Sequence, residues 1–451
     1  MEHKEWMQAC LAKAAEQYDE AEVYYAKSQG NSWTLSQGEP EEAKVAESVG
    51  VELVVRQGDQ WAQAYTEKID QEAMEYLLQQ VKEALEVMPA NPDRRLYRPE
   101  NGATESTVNA QQNPQGPDHQ AISGVEVLDL LQAMTKETRA LTDEIKEVQA
   151  SFEYQGAESQ CTNTLGLDCT QKGSMGVAVL YVVLTQGEKM QGDWAYRFVH
   201  GPEEVDPAVL AKEAVDRAQS YFGASPIPSG DMPIVLDQNT WASFLSAALY
   251  GPLSAEAVQK GMSLLAGKQG EKIASELVCL YDDPANSHNP IPKAFDGEGV
   301  PTRKLPLVEG GILRAYLHNL ETAQKMPGAK PGNAERGYKT PSHPAVSFMT
   351  MEPGELDQEG LLAKAGKGLL ITRMDGLHAG INTISGDFSL QAKGFLIDQG
   401  KKGRPVDQIT IAGNVFELLQ KVEAVGSDLL LTMTGAYMPS VLIGSLAVAG
   451  K

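Results

Sequence analysis

Apolar residues recur along the first half of the chain alternately at helical spacing and in strand-like runs. Helices are predicted at residues 1–20, 70–88, 125–150 and 206–222. The strand-like runs are bounded by turn residues, and they are 21–28, 32–37, 48–57, 60–68, 151–155, 158–163, 173–186 and 190–200. The order of helix, four strands and helix therefore occurs twice before residue 223. Either the two halves arose by a duplication and diverged, or they contain two unrelated hairpins of similar composition.

Residues 89–123 interrupt this pattern because they are rich in Pro, Asn and Gln and have almost no apolar side chains. We expect a long exposed excursion or a poorly ordered connector there, with His119 solvated. A Pro, Gly and Ser linker at residues 224–232 then separates two predicted domains, 1–224 and 229–451.

The second half begins with a predicted strand at 233–236 and a helix from Trp241 that ends at Gly251 and Pro252. A helical run at 257–265 follows, and another helix is expected at about 414–425. The remaining runs are short and strand-like, and they are 276–281, 304–309, 311–320, 345–351, 368–374, 387–399, 409–414, 429–434 and 440–449. We therefore predict an α+β fold, with helices packed on an antiparallel sheet in the N-terminal domain and a mostly antiparallel, barrel-like C-terminal domain with few helices.

Composition narrows the possible partners. The 451 residues carry a formal net charge of −23, which argues against broad attraction to nucleic acid or anionic lipid. The one basic cluster, at 401–404, is interpreted as a solvated hairpin loop.

Four cysteines do not form a disulfide framework, and reduced thiols indicate a cytoplasmic protein. The first ten residues have no signal-peptide core, and no apolar run is long enough to span a bilayer.

The sequence lacks the common catalytic motifs. It has no G-x-S-x-G elbow, no P-loop, no C-x-x-C pair and no H-E-x-x-H. The seven histidines are scattered, and structural or solvated roles are expected for them. Cys161 and Cys169 could be neighbours across a hairpin, but no further metal ligands lie near them in sequence. The helical region 240–266 contains no His, Cys or Asp, and its one carboxylate is Glu256.

Two segments hold more polar and Gly residues than a core needs. Residues 294–304 set Asp296, Glu298 and Arg303 in a turn punctuated by Gly. This turn could form the charged lip of a cleft, or its carboxylates could satisfy backbone N–H groups as in an Asx turn.

Residues 384–394 place a turn before a strand. In that strand Ser389 and Gln391 are expected on one face, with Phe388 and Leu390 on the other. The strand could accept an extended peptide or be an ordinary internal hairpin. We take Asp296, Glu298, Asp387, Phe388, Ser389 and Gln391 as candidate substrate-binding residues.

These stretches resemble the TldD/PmbA family, and in detail its PmbA (TldE) branch. The matching residues are LSAALYGPLSAEAVQKGMSLLAGKQGEKIAS at 245–275, DDP at 282–284, AFDGEGVPTRKLPLVEGGILRAYLHNLETAQK at 294–325, ISGDFSLQAKGFLIDQGKKGRPVDQITIAGN at 384–414 and PSVLIGSLAVAG at 439–450. The match covers the second half almost continuously, whereas the first half agrees mainly in the order of its elements.

The resemblance carries an expectation about zinc. In the TldD branch, the helix after the domain linker has an H-E-x-x-x-H zinc motif, and a cysteine near the C-terminus completes the site. Those motif positions fall on Ser246, Ala247 and Gly251, and no cysteine follows Cys279. The resemblance therefore implies that this chain has no metal site or catalytic residue of its own. It also implies dimerisation, either with itself or with a TldD-type zinc peptidase.

Three hypotheses follow for the function. The first is a metal-free subunit that shapes the peptide-binding cavity of a TldD/PmbA-type metallopeptidase system in peptide maturation or degradation, with zinc in the partner. The second is an autonomous peptidase that uses Asp296, Glu298 or His318 with an exogenous metal. The third is a non-catalytic homodimer in which the strand at 387–396 holds an extended peptide through main-chain hydrogen bonds.

Overall fold

The computed structural model describes residues 2–99 and 122–451. Most of the predicted connector 89–123, including His119, lies outside these residues. The elements in chain order are α1 (His3–Ala15), β1 (Glu20–Ser36), β2 (Glu39–Gln57), β3 (Gln60–Thr66), α2 (Gln71–Leu85), α3 (Gly124–Leu141), β4 (Ile145–Asn163), β5 (Asp168–Gln186), β6 (Lys189–Val199), α4 (Pro207–Ser220), β7 (Gly230–Leu236), α5 (Gln238–Leu253), α6 (Ala255–Gln259), β8 (Leu280–Asp282), β9 (Leu305–Glu309), β10 (Ile312–Leu313), α7 (Leu320–Gln324), β11 (Ala334–Gly337), β12 (Thr340–Pro344), β13 (Met349–Met351), α8 (Gln358–Ala365), β14 (Gly368–Asp375), α9 (Leu377–Gly380), β15 (Asp387–Asp398), β16 (Lys401–Asn414), α10 (Val415–Gln420), β17 (Val422–Val425), β18 (Leu430–Leu431), β19 (Tyr437–Met438) and β20 (Val441–Ala449).

The chain forms two compact units that are discontinuous in sequence. Unit 1 comprises Met1–Gln219 together with Pro290–Thr302 and Asn319–His343. Unit 2 comprises Ser220–Asn289, Arg303–His318 and Pro344–Lys451. Two segments from the second half of the sequence therefore belong to the first unit.

Unit 1 is built on a six-stranded antiparallel sheet with the order β3-β2-β1-β4-β5-β6. On one face, α1 and α2 cover apolar strand residues, and Trp6 and Leu77 are completely buried against Val23 and Leu53. The opposite face carries a smaller cluster in which Tyr338 packs with strand side chains, namely Tyr24, Cys161 and Cys169. The inserted segments of unit 1 thus contribute to the packing of its second face.

The order of helix, three strands and helix occurs twice in unit 1, and the prediction of four strands in each half was wrong. Residues 21–28 and 32–37 belong to the single strand β1, and 151–155 and 158–163 belong to β4. Gly30, which lies between the predicted runs 21–28 and 32–37, is opposite Ala46 and Gln155 within the sheet. The middle of these long strands is only partly buried and is rich in polar residues. Polar residues and Gly are also typical of turns, which is why the sequence predicted a turn there.

The predicted helix at 125–150 also needs correction, because α3 ends at Leu141 and β4 begins at Ile145. Val148, Ala150 and Phe152 are completely buried, and the residues between them are less buried. This alternation has the period of a strand, and over a few residues it also fits helical spacing.

Unit 2 contains a closed barrel of five strands in the order β16-β15-β14-β7-β20, which the pairing of β16 with β20 completes. The β7–β14 pair is parallel and the other pairs of the ring are antiparallel. A second six-stranded sheet has the order β10-β9-β8-β13-β19-β18. The α+β class and the barrel-like second half are therefore confirmed.

Several local predictions in unit 2 were wrong. Residues 401–404 form the start of β16 rather than a hairpin loop, because the turn lies at Gln399 and Gly400, whose φ angles are 50° and 74°. The helical run at 257–265 ends at Gln259 as α6, and the helix at 414–425 divides into α10 and β17. The strands expected at 276–281, 311–320, 345–351 and 429–434 shrink to two or three residues each. No helix among the described residues is both long and apolar enough to cross a membrane.

Candidate functional site

Helix α5 carries the three positions at which the family resemblance puts a zinc motif. The helix begins after Asp237, whose carboxylate accepts a hydrogen bond from Thr240 N at 2.8 Å. Its apolar side buries Trp241 and Phe244. It continues through Gly251 and Pro252 and ends at Leu253, so the predicted end at Gly251 and Pro252 was wrong by one residue beyond that pair.

These three positions do not offer zinc ligands. Ser246 and Ala247 are partly buried, and Gly251 is exposed. A hydroxyl, a methyl group and a hydrogen stand where the motif requires imidazole and carboxylate. Across residues 2–99 and 122–451, no group of three or more His, Cys, Asp or Glu side chains is arranged to hold a metal ion. The residues present therefore do not fit the zinc that the resemblance assigns to the TldD branch of the family.

Asp296 organises the turn that begins the inserted part of unit 1. Its Oδ1 accepts hydrogen bonds from the backbone N–H groups of Glu298 (2.9 Å) and Val300 (3.0 Å). Its Oδ2 accepts from Ala334 N at 3.0 Å. Asp296 is 7% exposed, and its carboxylate serves the turn as an Asx turn predicts. Arg303, which was expected in the same turn, belongs to unit 2.

Glu298 links this turn to two later segments of unit 1. Its Oε2 accepts a hydrogen bond from Leu320 N (2.7 Å) at the start of α7, and its Oε1 accepts from Ser342 Oγ (2.7 Å) in β12. Burial, reinforced by the charge of Asp296, raises the pKa of Glu298 to about 8. Burial also raises the pKa of Asp296, to about 6, against three backbone hydrogen bonds that lower it. Glu298 therefore keeps its proton to a higher pH than an exposed glutamate does.

A buried ion triad adjoins Glu298 in the same unit. Arg336 Nη1 donates to Glu22 Oε1 at 2.6 Å, and its Nε and Nη2 donate to Glu52 Oε2 at 3.0 and 2.8 Å. All three side chains are 4% exposed. The guanidinium carbon also lies 4.3 Å from the centre of the Tyr24 ring. Burial lowers the pKa of Arg336, but the charges of Glu22 and Glu52 outweigh it and hold that pKa well above its ordinary value.

These groups line a pocket within unit 1. The pocket encloses about 580 Å³ of empty space, including the part open to solvent. Its charged and polar wall consists of Glu22, Glu52, Gln63, Arg94, Arg95, Glu298, Asn319, Glu321, Arg336 and Ser342, and its apolar wall consists of Val54, Leu96, Leu320 and Pro341. The charged and apolar walls together suit a ligand that has both charged and apolar parts.

The second candidate segment belongs to unit 2 and is built differently. Asp387, Ser389 and Gln391 are exposed, whereas Phe388 is buried and meets the Phe244 ring edge-on at 5.1 Å. Hydrogen bonds from Asn414 and Ser385 lower the pKa of Asp387. β15 pairs with β16 along its length and with β14 from Gln391 onward, so its main chain has little free edge for a peptide.

Sequence reasoning found Glu298 but missed the guanidinium groups of Arg94 and Arg336. Glu22 and Glu52 could have been recognised in the sequence as unusual buried charges, because each interrupts an otherwise apolar strand sequence. Such isolated carboxylates in buried strands require a counter-charge. Nothing in the sequence identified Arg336 as that counter-charge, because it follows Glu52 by 284 residues.

Fold and site together define a two-unit α+β protein with a closed barrel in one unit, a charged pocket in the other, and no zinc ligands at the motif positions of α5. Three family models match the chain: PmbA/TldA metallopeptidase domain 1 at residues 21–85, the central domain at 117–221 and the C-terminal domain at 229–450. The chain belongs to the TldD/PmbA metallopeptidase family.

Individual relatives agree with this assignment. A metalloprotease TldD homolog from Haemophilus influenzae is 26% identical over 446 residues, which cover 94% of this chain and 90% of that protein. A crystal structure from Thermotoga maritima, described as a candidate modulator of a DNA gyrase, has a TM-score of 0.88 at 28% identity and covers 99% of this chain and 100% of its own. TldE from Thermococcus kodakarensis shares the fold, with a TM-score of 0.87 at 23% identity over 99% of this chain and 100% of that one.

Proposed function

We propose that this chain is the metal-free, peptide-binding member of a TldD/PmbA-type metallopeptidase system. It would act in the cytoplasm with a TldD-like partner that carries the zinc, in the proteolysis or maturation of peptides. The observation that carries the proposal is the trio Ser246, Ala247 and Gly251 on α5, where the family resemblance places zinc ligands and the general base.

The chemistry of these residues supports a non-catalytic role. Zinc in a hydrolase is held by three side chains of His, Cys or carboxylate type, and a general base takes a proton from the metal-bound water. Ser246 offers a hydroxyl group, and Ala247 and Gly251 offer no donor at all. The last cysteine in the sequence is Cys279, so the expected C-terminal thiolate is also missing.

The peptide-binding part of the proposal draws on two surfaces. The pocket of unit 1 offers hydrogen-bonding groups beside apolar ones, as a peptide ligand requires. The exposed side chains of Asp387, Ser389 and Gln391 offer a polar surface in unit 2. Because β15 is already paired, we assign the second surface to side-chain contacts and not to strand addition.

The test is to purify the chain alone and with a zinc-bearing TldD-type chain from the same genome. We expect less than about 0.1 zinc per chain and no peptidase activity for the chain alone, and hydrolysis only when the partner is present. Stoichiometric zinc together with robust hydrolysis by the chain alone would overturn the proposal and favour an autonomous peptidase. A stable homodimer that never associates with the TldD-type chain would instead favour the non-catalytic homodimer.

A matched pair of variants sharpens this test. Ser246→Ala and Gly251→Ala alter the motif positions without adding a ligand, and a Cβ at Gly251 would meet no atom within 4 Å. We expect both variants to keep the activity of the assembled system within about twofold, because neither position holds a metal. A loss of more than about tenfold in either, with association intact, would contradict the assignment.

A further inference from the structure

Arg94 is a partly buried cation of the unit 1 pocket. Its Nη2 donates to the neutral amide oxygen of Gln63 at 2.8 Å, and its guanidinium carbon lies 5.3 Å from the centre of the Trp61 ring. No salt bridge involves Arg94 within the described ranges. Arg336, by contrast, is fully engaged by two carboxylates. Arg94 therefore has donors left for a ligand.

The surroundings of Arg94 favour an added negative charge. Burial lowers the pKa of Arg94, and the positive charge of nearby Arg336 lowers it further, while Glu52, Glu22 and Glu321 compensate in part. Glu321 is paired with Lys325. The carboxylates of Glu22 and Glu52 are themselves committed to Arg336. An anion that reached Arg94 would supply a direct counter-charge, and a guanidinium binds carboxylates through paired hydrogen bonds.

The other residues that line the pocket indicate which class of anion would fit beside Arg94. Glu298, Asn319 and Ser342 hydrogen-bond with one another and with α7, and they make this part of the pocket wall polar, as a neutral amide requires. Val54 and Leu320 provide apolar surface for a side chain. A ligand with one carboxylate, an adjacent amide and an apolar side chain matches all three features, and the C-terminal end of a peptide has this composition.

We propose that the pocket of unit 1 binds the C-terminal end of a short peptide, with the α-carboxylate on the guanidinium of Arg94. This deepens the proposed function and rests only on its peptide-binding part. It requires neither a zinc-bearing partner nor an empty metal site on α5, and it assigns a role to a pocket formed within one unit of one chain.

The experiment compares two forms of one probe on the purified full chain. The probe is an acetylated tripeptide of two alanines and a C-terminal leucine, prepared as the free acid and as the C-terminal amide. We expect calorimetry to show that the free acid binds at least about tenfold more tightly, because one charge-assisted contact is lost in the amide. Equal affinities for the two forms would overturn the inference, and this comparison needs no variant.

Two variants then locate the contact. Arg94→Gln should abolish the preference for the free acid, whereas Arg139→Gln, which removes the same charge from an exposed position of unit 1, should keep it within about twofold. The unfolding temperature of each variant shows whether it is folded. Retention of the preference by folded Arg94→Gln would overturn the assignment to Arg94.

Inorganic phosphate and acetate serve as competitors. If the site recognises the C-terminal end of a peptide, neither ion should displace the free-acid peptide at a comparable concentration. Neither ion has the amide group or the apolar side chain of the peptide. Displacement by phosphate at equal concentration would show a general anion site and would overturn the peptide assignment. These outcomes are separate from zinc content and from association with a TldD-type chain, so the two proposals can fail independently.

Discussion

Arg336 and Glu52 form a two-donor ion pair in which both Nε and Nη2 of the guanidinium donate to the same carboxylate oxygen, at 3.0 and 2.8 Å. The pair connects strand β11 to strand β2, and burial raises the pKa of Glu52 despite the nearby positive charge. Two desolvated carboxylates, Glu22 and Glu52, therefore depend on one guanidinium.

Removal of that guanidinium should destabilise the protein strongly. We expect Arg336→Met to lower the free energy of unfolding by about 3–5 kcal/mol, because two buried carboxylates lose their counter-charge. Adding Glu22→Gln and Glu52→Gln to this variant should recover much of the loss. As a control, Arg373→Met breaks an exposed pair with Asp375 and should cost less than about 1 kcal/mol. Chemical denaturation of the full chain measures all three, and equal costs for the two single variants would contradict the role of the triad.

The raised pKa of Glu298 gives stability a definite pH dependence. The folded state holds this proton more tightly than the unfolded chain does, so the contribution is complete below the ordinary pKa of 4.5 and is lost as the pH rises through about 8. Glu298→Gln, which stays neutral, should gain roughly 1–3 kcal/mol over wild type between pH 5 and pH 9. Glu359→Gln, at an exposed site, is the control. A stability difference between wild type and Glu298→Gln that does not change with pH would refute the expectation.

Gly50 should tolerate no side chain. A Cβ at this position would lie 2.2 Å from ring atoms of Tyr338, and Tyr338 is held by hydrogen bonds with Ser48 (2.8 Å) and Glu67 (3.0 Å). We expect Gly50→Ala to cost about 1–3 kcal/mol through overpacking. Gly30→Ala, in the partner strand with nothing within 4 Å of its Cβ, should be neutral or slightly stabilising. Thermal unfolding measures the stability of the two variants. Equal unfolding temperatures for Gly50→Ala and Gly30→Ala would contradict the prediction.

The four cysteines should differ in reactivity. Burial raises the pKa of all four thiols, but Cys10, Cys161 and Cys169 are buried, whereas Cys279 is only partly buried and reagents can reach it. We expect a thiol reagent at pH 8 to modify Cys279 first in the native protein and the other three only after denaturation. Cys279→Ser should then remove native labelling. Early modification of Cys161 or Cys169 would show that the face of the sheet bearing Tyr338 opens in the native state.

The sequence predicted what depends on local pattern. The helices near residues 1–20, 70–88 and 206–222, the opposition of Cys161 and Cys169, and the two faces of the strand at 387–391 all follow from spacing, and the structure confirms them. The α+β class and the barrel-like second half are also confirmed, because short strands between Gly and Pro are typical of closed sheets.

The parts that the sequence missed depend on tertiary context. The period of residues 145–150 fits either a strand or a helix until the sheet is known. The functional interpretation of Glu298 required Leu320 N and Ser342 Oγ, which come from two later segments. Arg94 and Arg336 gain their meaning from neighbours far away in the sequence, and no local pattern marks such partners.

The order of synthesis has a consequence for the N-terminal sheet. Arg336 follows Glu22 by 314 residues, a stretch that a ribosome adding about 5–20 residues per second completes in roughly 15–60 s. Throughout that interval, the sheet surface that carries Glu22 and Glu52 has charged groups that are better off in water than against protein. Closing that surface before Arg336 is made would bury two carboxylates without a counter-charge, so its packing in the folded protein depends on one late residue.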